Sequence, residues 1–281
     1  MRIVTHHGSA HRDEFMACCL VLALPDNHDD PVIERREPTA ADLDDPKVWV
    51  LDIGGRCEPA LLNFDHHHLP SQTPPVCTFS LVLNHLGILM RAHGAWPWLE
   101  LTILDDVAGP GAVAKTVGCA REAISRLGAP AEEYLLKLFA EKKTLARDDS
   151  LTTVMTAIGR RMRQDLDRFS ERIEVLRRNG IVFTTLGGLR VFAYLAGPLP
   201  EHKLAVDPHC DALGGIAAII LPSERDEGLS LSRFRDHPDL DFRRLRGNPR
   251  VGFIHQSGFM AVTNGHPGQH ELAALIDAAR G

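Results

Sequence analysis

Over the first hundred residues, short apolar runs alternate with longer helical patterns. "RIVTH" (2–6) is a short strand that breaks at Gly8, and "DEFMACCLVLAL" from Asp13 is nearly all apolar at helical length, stopping at Pro25. "PVIERRE" (31–37) and "VWVLDIGG" (48–55) are strands, the second rich in β-branched residues and closed by Asp52 and a Gly-Gly turn. "LLNFDHHH" (61–68) is another apolar run with a charged end, and "TFSLVLNHLGILMRAHG" (78–94) is a helix. "WPWLELTILDDVAGPG" (96–111) leads into Asp105 and Asp106, which the pattern places after a further strand. The alternation predicts an α/β fold: a mostly parallel N-terminal sheet flanked by helices. His6, Asp52 and the Asp105–Asp106 pair then fall at carboxyl ends of strands, the edge where open α/β sheets bind ligands.

Residues 130–180 are helical by pattern, and the Arg-rich amphipathic stretch 150–180 reads as a bridge ending at Asn179-Gly180. After it come a hairpin around Gly187-Gly188, the strands "GGIAAIILP" and "RVGFIHQSGFMAVTN", and a final helix "GQHELAALIDAAR". The expected division is a catalytic domain over 1–150, a linker helix over 151–180 and a smaller mixed α/β C-terminal domain over 181–281.

With 281 residues, 44% hydrophobic and 24% charged, the chain can bury a real core and is not disordered. Its net charge of −6 excludes a global positive field for long nucleic acids. The six cysteines have no CxxC spacing, which argues against a zinc ribbon and for small core residues in a reducing, cytoplasmic setting. No apolar run reaches the ~18 residues of a membrane span, so no membrane partner is expected. The sequence holds no GxSxG, Walker A or GxGxxG motif.

What stands out is 15 histidines, several of them clustered with carboxylates. "THHGSAHRDE" (5–14) offers His11 and Asp13 at a helix start, with His6 or His7 at the strand end before it. Imidazole with carboxylate suits Mn²⁺, Fe²⁺ or Zn²⁺. In "FDHHH", Asp65 can orient a ligating imidazole by accepting its second N–H. Asp52 can bridge two cations, and Asp105 at a fourth strand end would complete a two-metal site of the kind that hydrolyses phosphate esters.

These motifs together resemble the MYG1 (UPF0160) family, related to the DHH phosphoesterase superfamily. "THHGSAHRDE", "LDIGG" and "FDHHH" stand where that family has T-H-x-G-x-F-H-x-D-E, D-V-G-G and Y-D-H-H-Q. "FIHQSGF" (253–259) and "PEHKL" (200–204) match its C-terminal motifs. The resemblance implies a DHH-like catalytic domain and a C-terminal substrate-binding domain, with the active site in the cleft between them. It implies one metal on His6, His11 and Asp52, and a second on Asp13, Asp52, His66 and Asp105, with Asp106 the alternative to Asp105 and His7 to His6. Asp65 would stand behind these ligands, and His67 would face the scissile phosphate. His68, His255, Ser257 and Gly258 would contact substrate. The implied cofactor is two divalent cations, Mn²⁺ first, with Mg²⁺ or another transition metal as alternatives. The implied activity is 3′–5′ exonucleolytic hydrolysis of RNA or short oligonucleotides, by a monomer or a homodimer. The alternatives are a small-molecule phosphatase or pyrophosphatase using the same metals, and a non-catalytic nucleotide or protein binder, for which Ala10, His68 and the "DDV" segment are the departures that speak.

Overall fold

The computed structural model describes residues 1–25, 30–70, 74–126, 128–197, 203–223 and 227–281. The "PEHKL" motif falls mostly outside them. The chain forms two compact units, Met1–Arg168 and Phe169–Gly281.

The first unit runs β1 (Arg2–Thr5), α1 (Arg12–Leu22), β2 (Val32–Arg35), α2 (Ala40–Asp44), β3 (Val48–Leu51), β4 (Cys57–Glu58) and β5 (Asn63–Phe64). It continues with α3 (Thr78–His85), α4 (Leu89–Ala95), α5 (Leu99–Val117), α6 (Arg121–Arg126), α7 (Pro130–Glu141), β6 (Thr144–Leu145) and α8 (Ser150–Asn179), within which the boundary falls. The sheet order is β4-β5-β3-β1-β2-β6. β5, β3, β1 and β2 are mutually parallel, and only the short edge strands β4 and β6 run against them. The expected α/β class with a mostly parallel first sheet is what the structure has.

Strand alternation sorts the two faces. Val4, Val48 and Val50 cluster with Leu43 of α2 and with Ile53. On the other face Trp49 stacks on Phe64 at 5.6 Å and meets His85 of α3, while the Thr5 hydroxyl reaches Glu14 of α1. α1 is buried almost all round, which explains its unbroken apolar pattern. Gly159 of α8 permits close approach to it: a Cβ there would lie 1.9 Å from the Cys19 carbonyl oxygen.

Three expectations differ from the structure. The helix read over 78–94 is two, α3 and α4, with Gly87 at φ 68° between them. "LELTILDDV" is helix, not strand: it opens α5, which breaks at Gly109 (φ 75°) ahead of Pro110. Leu99, Thr102 and Ile103 are its buried positions, a helical spacing that a strand would not produce. The stretch between α7 and α8 is also not all helix, because Thr144–Leu145 pairs with β2 as an edge strand.

The second unit holds β7 (Gly180–Thr184), β8 (Arg190–Tyr194), α9 (Lys203–Leu213), β9 (Ile216–Pro222), β10 (Leu229–Arg233), β11 (Val251–Ile254), β12 (Met260–Thr263) and α10 (Gln269–Ala278). Its sheet order is β11-β12-β10-β9-β8-β7, parallel only across β8–β9, where α9 makes the crossover. This is the smaller, mixed α/β unit the pattern predicts. No described helix is long and apolar enough to cross a membrane.

Candidate metal centre

Because β1, β3 and β5 are parallel, their carboxyl ends share one edge. The chain leaves β1 toward β2 on one side, and leaves the adjacent β3 toward β4 and β5 on the other, which makes the β1–β3 edge a topological switch point. His6 follows β1, Asp52 follows β3, and Asp65 and His66 follow β5. α1 enters the same edge with His11 as its N-cap and Asp13 in its first turn, and α5 brings Asp106.

Asp52 is the hub. It is buried and held at φ 60°, a left-handed conformation that Asp tolerates better than most side chains. The Thr78 hydroxyl at the start of α3 donates to its Oδ1 at 2.9 Å. The Nε2 atoms of His66 and His6 lie 3.2 and 3.5 Å from its two oxygens. His66 Nε2 is also 3.1 Å from Asp106, whose carboxylate lies 4.0 Å from His11.

Three groups of side chains could each hold a cation, with ligand atoms all within 4.8 Å of one another: His6, His11 and Asp52; Asp52, His66 and His67; and His11, Asp13 and Asp106. Asp52 and His11 are shared between groups. Among the described residues, six buried atoms here make no hydrogen bond of good geometry: His6 Nε2, both Asp13 oxygens, Asp52 Oδ2, His66 Nε2 and Asp106 Oδ2; the two ring nitrogens have only ion-pair contacts with the carboxylates around them. Buried polar atoms are rarely left unpaired, and several converging on one spot fit a cation. The mixed imidazole and carboxylate set fits a borderline or hard divalent metal.

The electrostatics agree. Burial raises the Asp13 carboxyl well above the usual range, and the charges of Asp52 and Asp106 raise it further. Burial works against a proton on His6 and His66, but neighbouring carboxylates outweigh it and lift them to about 9 and about 10. Asp65 goes the other way: burial would raise it, but the backbone N–H groups of His67 and Gly55 and the His67 ring hold it below the usual range.

The structure brings together His6, His11, Asp13, Asp52, His66 and His67, with Asp65 behind His67. Asp106, not Asp105, is the α5 carboxylate in the cluster, and Asp105 enters none of the three groups. It is also His6 rather than His7 that turns inward; His7 is exposed, 3.9 Å from Glu37. His68 is exposed in the turn after β5. His255, Ser257 and Gly258 form the β11–β12 turn of the second unit, where the Ser257 N–H donates to His255 Nδ1 at 3.2 Å. Gly258 (φ 73°) packs so closely that a Cβ would lie 2.1 Å from Asp241 Oδ1. Sequence reasoning missed Glu14, Arg35 and Thr78. Arg35 had a signal, since strand alternation puts it on the same buried face as Ile33.

The first unit is thus an α/β domain with a histidine–carboxylate cluster, a candidate metal site, at the switch point of a parallel sheet. Residues 2–87, which carry most of this cluster, match the model of the uncharacterised protein family UPF0160 (MYG1). The human MYG1 exonuclease is 38% identical over 69 residues, 24% of this chain and 17% of that protein. The MYG1 protein of Chlamydia trachomatis is 30% identical over 104 residues, 37% of this chain and 35% of that protein. The chain therefore matches 17% of the human protein's length and 35% of the chlamydial one's. Among solved structures, RecJ from Thermus thermophilus in complex with Mn²⁺ aligns over 99% of this chain and 51% of its own, at 13% identity and a TM-score of 0.28. The DHH domain of a member of the s1p family of ribosomal proteins gives 11% identity and a TM-score of 0.34 over 99% and 85%. Likenesses of that size add no weight.

Proposed function

We propose that this chain is a metal-dependent phosphoesterase, an exonuclease that hydrolyses RNA or short oligonucleotides from the 3′ end. The observation that carries the reading is the set of six unpaired buried atoms around Asp52. The family match over residues 2–87, with relatives named exonucleases, supports the reaction class. His6, His11 and Asp52 would hold one divalent cation, and Asp13, Asp52, His66 and Asp106 a second. Such a pair supplies Lewis acidity at a phosphoryl oxygen and a water nucleophile at neutral pH.

The chain's own residues do the rest. Thr78 and the left-handed backbone fix Asp52 so that both of its oxygens stay in the cluster. Asp65 accepts from the His67 Nδ1–H at 2.8 Å, which turns Nε2 of this exposed ring outward; in the imidazolium form that Nε2–H would donate to a phosphate oxygen or pass its proton to the leaving oxygen. His68, and in the second unit His255, Ser257 and Gly258, are the candidate substrate contacts. The net charge of −6 favours a short substrate over a long duplex. The cytoplasm, where the cysteines stay reduced, is the proposed location, and a homodimer the proposed assembly.

The test incubates the protein with end-labelled short RNA and Mn²⁺, beside a chelator control and Asp52→Asn. A manganese-dependent ladder that shortens from the 3′ end, absent in both controls, is the expected result. Cleavage that survives in chelator or in the variant would overturn the metal site as the catalyst. Hydrolysis of pyrophosphate or mononucleotides in place of RNA would transfer the same site to small phosphorylated substrates.

A further inference from the structure

Beside the cluster lies a buried ion pair that no ligand role uses. Arg35 ends β2 with its side chain 1% exposed, and Glu14 sits fully buried in the first turn of α1. Arg35 Nη2 donates to Glu14 Oε1 and to the Ser9 carbonyl, both at 3.2 Å. Its Nη1 points to the carbonyls of Gly8, Phe139 and Ala140 at 3.2, 3.2 and 3.0 Å. Its plane lies over the Phe139 ring, 4.6 Å from the centroid. One guanidinium thus grips the backbone between His6 and His11, the end of α7, and Glu14.

Glu14 divides its oxygens. Oε1 takes Arg35 and, at 3.4 Å, the His11 backbone N–H. Oε2 takes the Thr5 hydroxyl at 3.3 Å and lies against Nε2 of His6. The His6 Nδ1–H donates to the His7 carbonyl at 2.9 Å, so Nε2, which lies between Glu14 Oε2 and Asp52 Oδ2, is the nitrogen a cation would take in place of a proton. Both histidines of the His6–His11–Asp52 group are therefore placed by one ion pair. Because Arg35 cancels the charge of Glu14, the pair contributes position without adding negative charge to the cluster.

Building on the two-cation reading above, we propose that the Arg35–Glu14 pair, gripping the Gly8–Ser9 backbone and facing His6 Nε2, is the clamp that sets the affinity of the His6–His11–Asp52 group for its divalent cation. Glu14 and Arg35 are positioning residues. The pair acts on the cation proposed for His6, His11 and Asp52; of the second proposed set, Asp13, Asp52, His66 and Asp106, it bonds no side chain.

The test counts bound Mn²⁺ on the full chain by the electron paramagnetic resonance of the free ion, and records the spectrum of the bound ions. Wild type should bind two, with the spectrum of a coupled pair. Glu14→Gln should weaken one site ~10–100-fold, the usual cost of losing an outer-shell partner. The other site should stay within about threefold, and the spectrum should become that of an isolated ion, a change that a merely structural role would not produce. Arg35→Lys keeps the charge and loses the fork, so it should behave like Glu14→Gln. The isosteric Thr5→Val, losing one hydrogen bond to Glu14, should cost about threefold at the same site. Two ions at wild-type affinity in Glu14→Gln, rescue by lysine, or equal weakening of both sites in a folded variant would each overturn the clamp. Should Glu14→Gln fail to fold by circular dichroism, Thr5→Val decides, and unchanged affinity there overturns it. Wild type that binds no Mn²⁺ removes the two-cation reading and the clamp with it, whereas wild type with two ions and an indifferent Glu14→Gln removes the clamp alone.

Discussion

The first unit contains two knots of charge that solve burial in opposite ways. Around Asp42, two guanidiniums meet two carboxylates. Asp42 takes Arg2 at 2.7 Å, Arg36 at 2.8 Å and both the N–H and hydroxyl of Thr39 at 2.8 Å, while Arg36 also bonds Glu34. None of these atoms is left unpaired. Around Asp52, three carboxylates (Asp13, Asp52 and Asp106) crowd together with imidazoles and the Thr78 hydroxyl as their neighbours, and six atoms make no hydrogen bond of good geometry. The first knot is complete as folded, so its worth is stability. The second is incomplete as folded, and charge-balance reasoning assigns its missing positive charge to a ligand.

The comparison breaks most sharply at the hubs. Asp52→Asn should abolish Mn²⁺ binding and lower any phosphodiesterase activity by at least ~10³-fold, while metal-free unfolding stays within about 1 kcal/mol. Asparagine accepts the same positive φ, which keeps the backbone out of the result. Calorimetry with and without Mn²⁺ reads both effects, and a variant that still binds two ions contradicts the site. Next in size, Asp106→Asn should weaken Mn²⁺ binding ~10–100-fold while Asp105→Asn leaves it unchanged; equal effects in a titration would undo the placement by α5.

Protonation sharpens the contrast. His6 and His66 are lifted to about 9 and about 10, so their contribution to the metal-free fold is complete below the ordinary histidine value near 6.5. It is lost as pH rises through those raised values. In chelator the melting temperature should fall as pH rises from about 7 to about 10. With Mn²⁺ the stabilisation should instead grow with pH, because cation and proton compete for the same nitrogens. A metal-induced shift as large at pH 6 as at pH 8 would contradict that competition.

The smallest effect falls on the complete knot. Arg36 holds Asp42 well below the ordinary carboxylate range, with burial opposing and Thr39 assisting. A depressed carboxylate stabilises above its unfolded value near 4 and stops doing so as pH falls through its folded one. Asp42→Asn should therefore cost about 1–2 kcal/mol at neutral pH and progressively less in acid, with Mn²⁺ binding untouched. Denaturant melts at pH 7 and pH 3 check it, and a lost cation would show that the two knots are not independent.

Much of this was legible in the chain. The strands that end at His6, Asp52 and Asp65 announce themselves by apolar runs cut off at polar residues, and parallel pairing then brings those ends together. Asp106 was the runner-up because "LTILDDV" reads as strand when its β-branched and apolar residues are counted. Read at the helical period, Leu99, Thr102 and Ile103 share a face, and seven residues on from Leu99 that face returns at Asp106, not Asp105. Glu14 passed as an ordinary first-turn acid favoured by the helix dipole. Its burial follows from Arg35 lying one strand away, a contact that no local pattern encodes. Thr78 was hidden in the same way, because its role depends on where α3 starts relative to β3.

The left-handed backbone at Asp52 also bears on how this lineage can drift. Most replacements there strain the turn by about 1–2 kcal/mol. Asparagine and glycine, the two that rest comfortably at that φ, are each one nucleotide change from an aspartate codon. The hub of the cluster is thus the position where chemistry can be lost at least cost to the fold, so that descendants keeping the architecture as inert scaffolds lie a single substitution away.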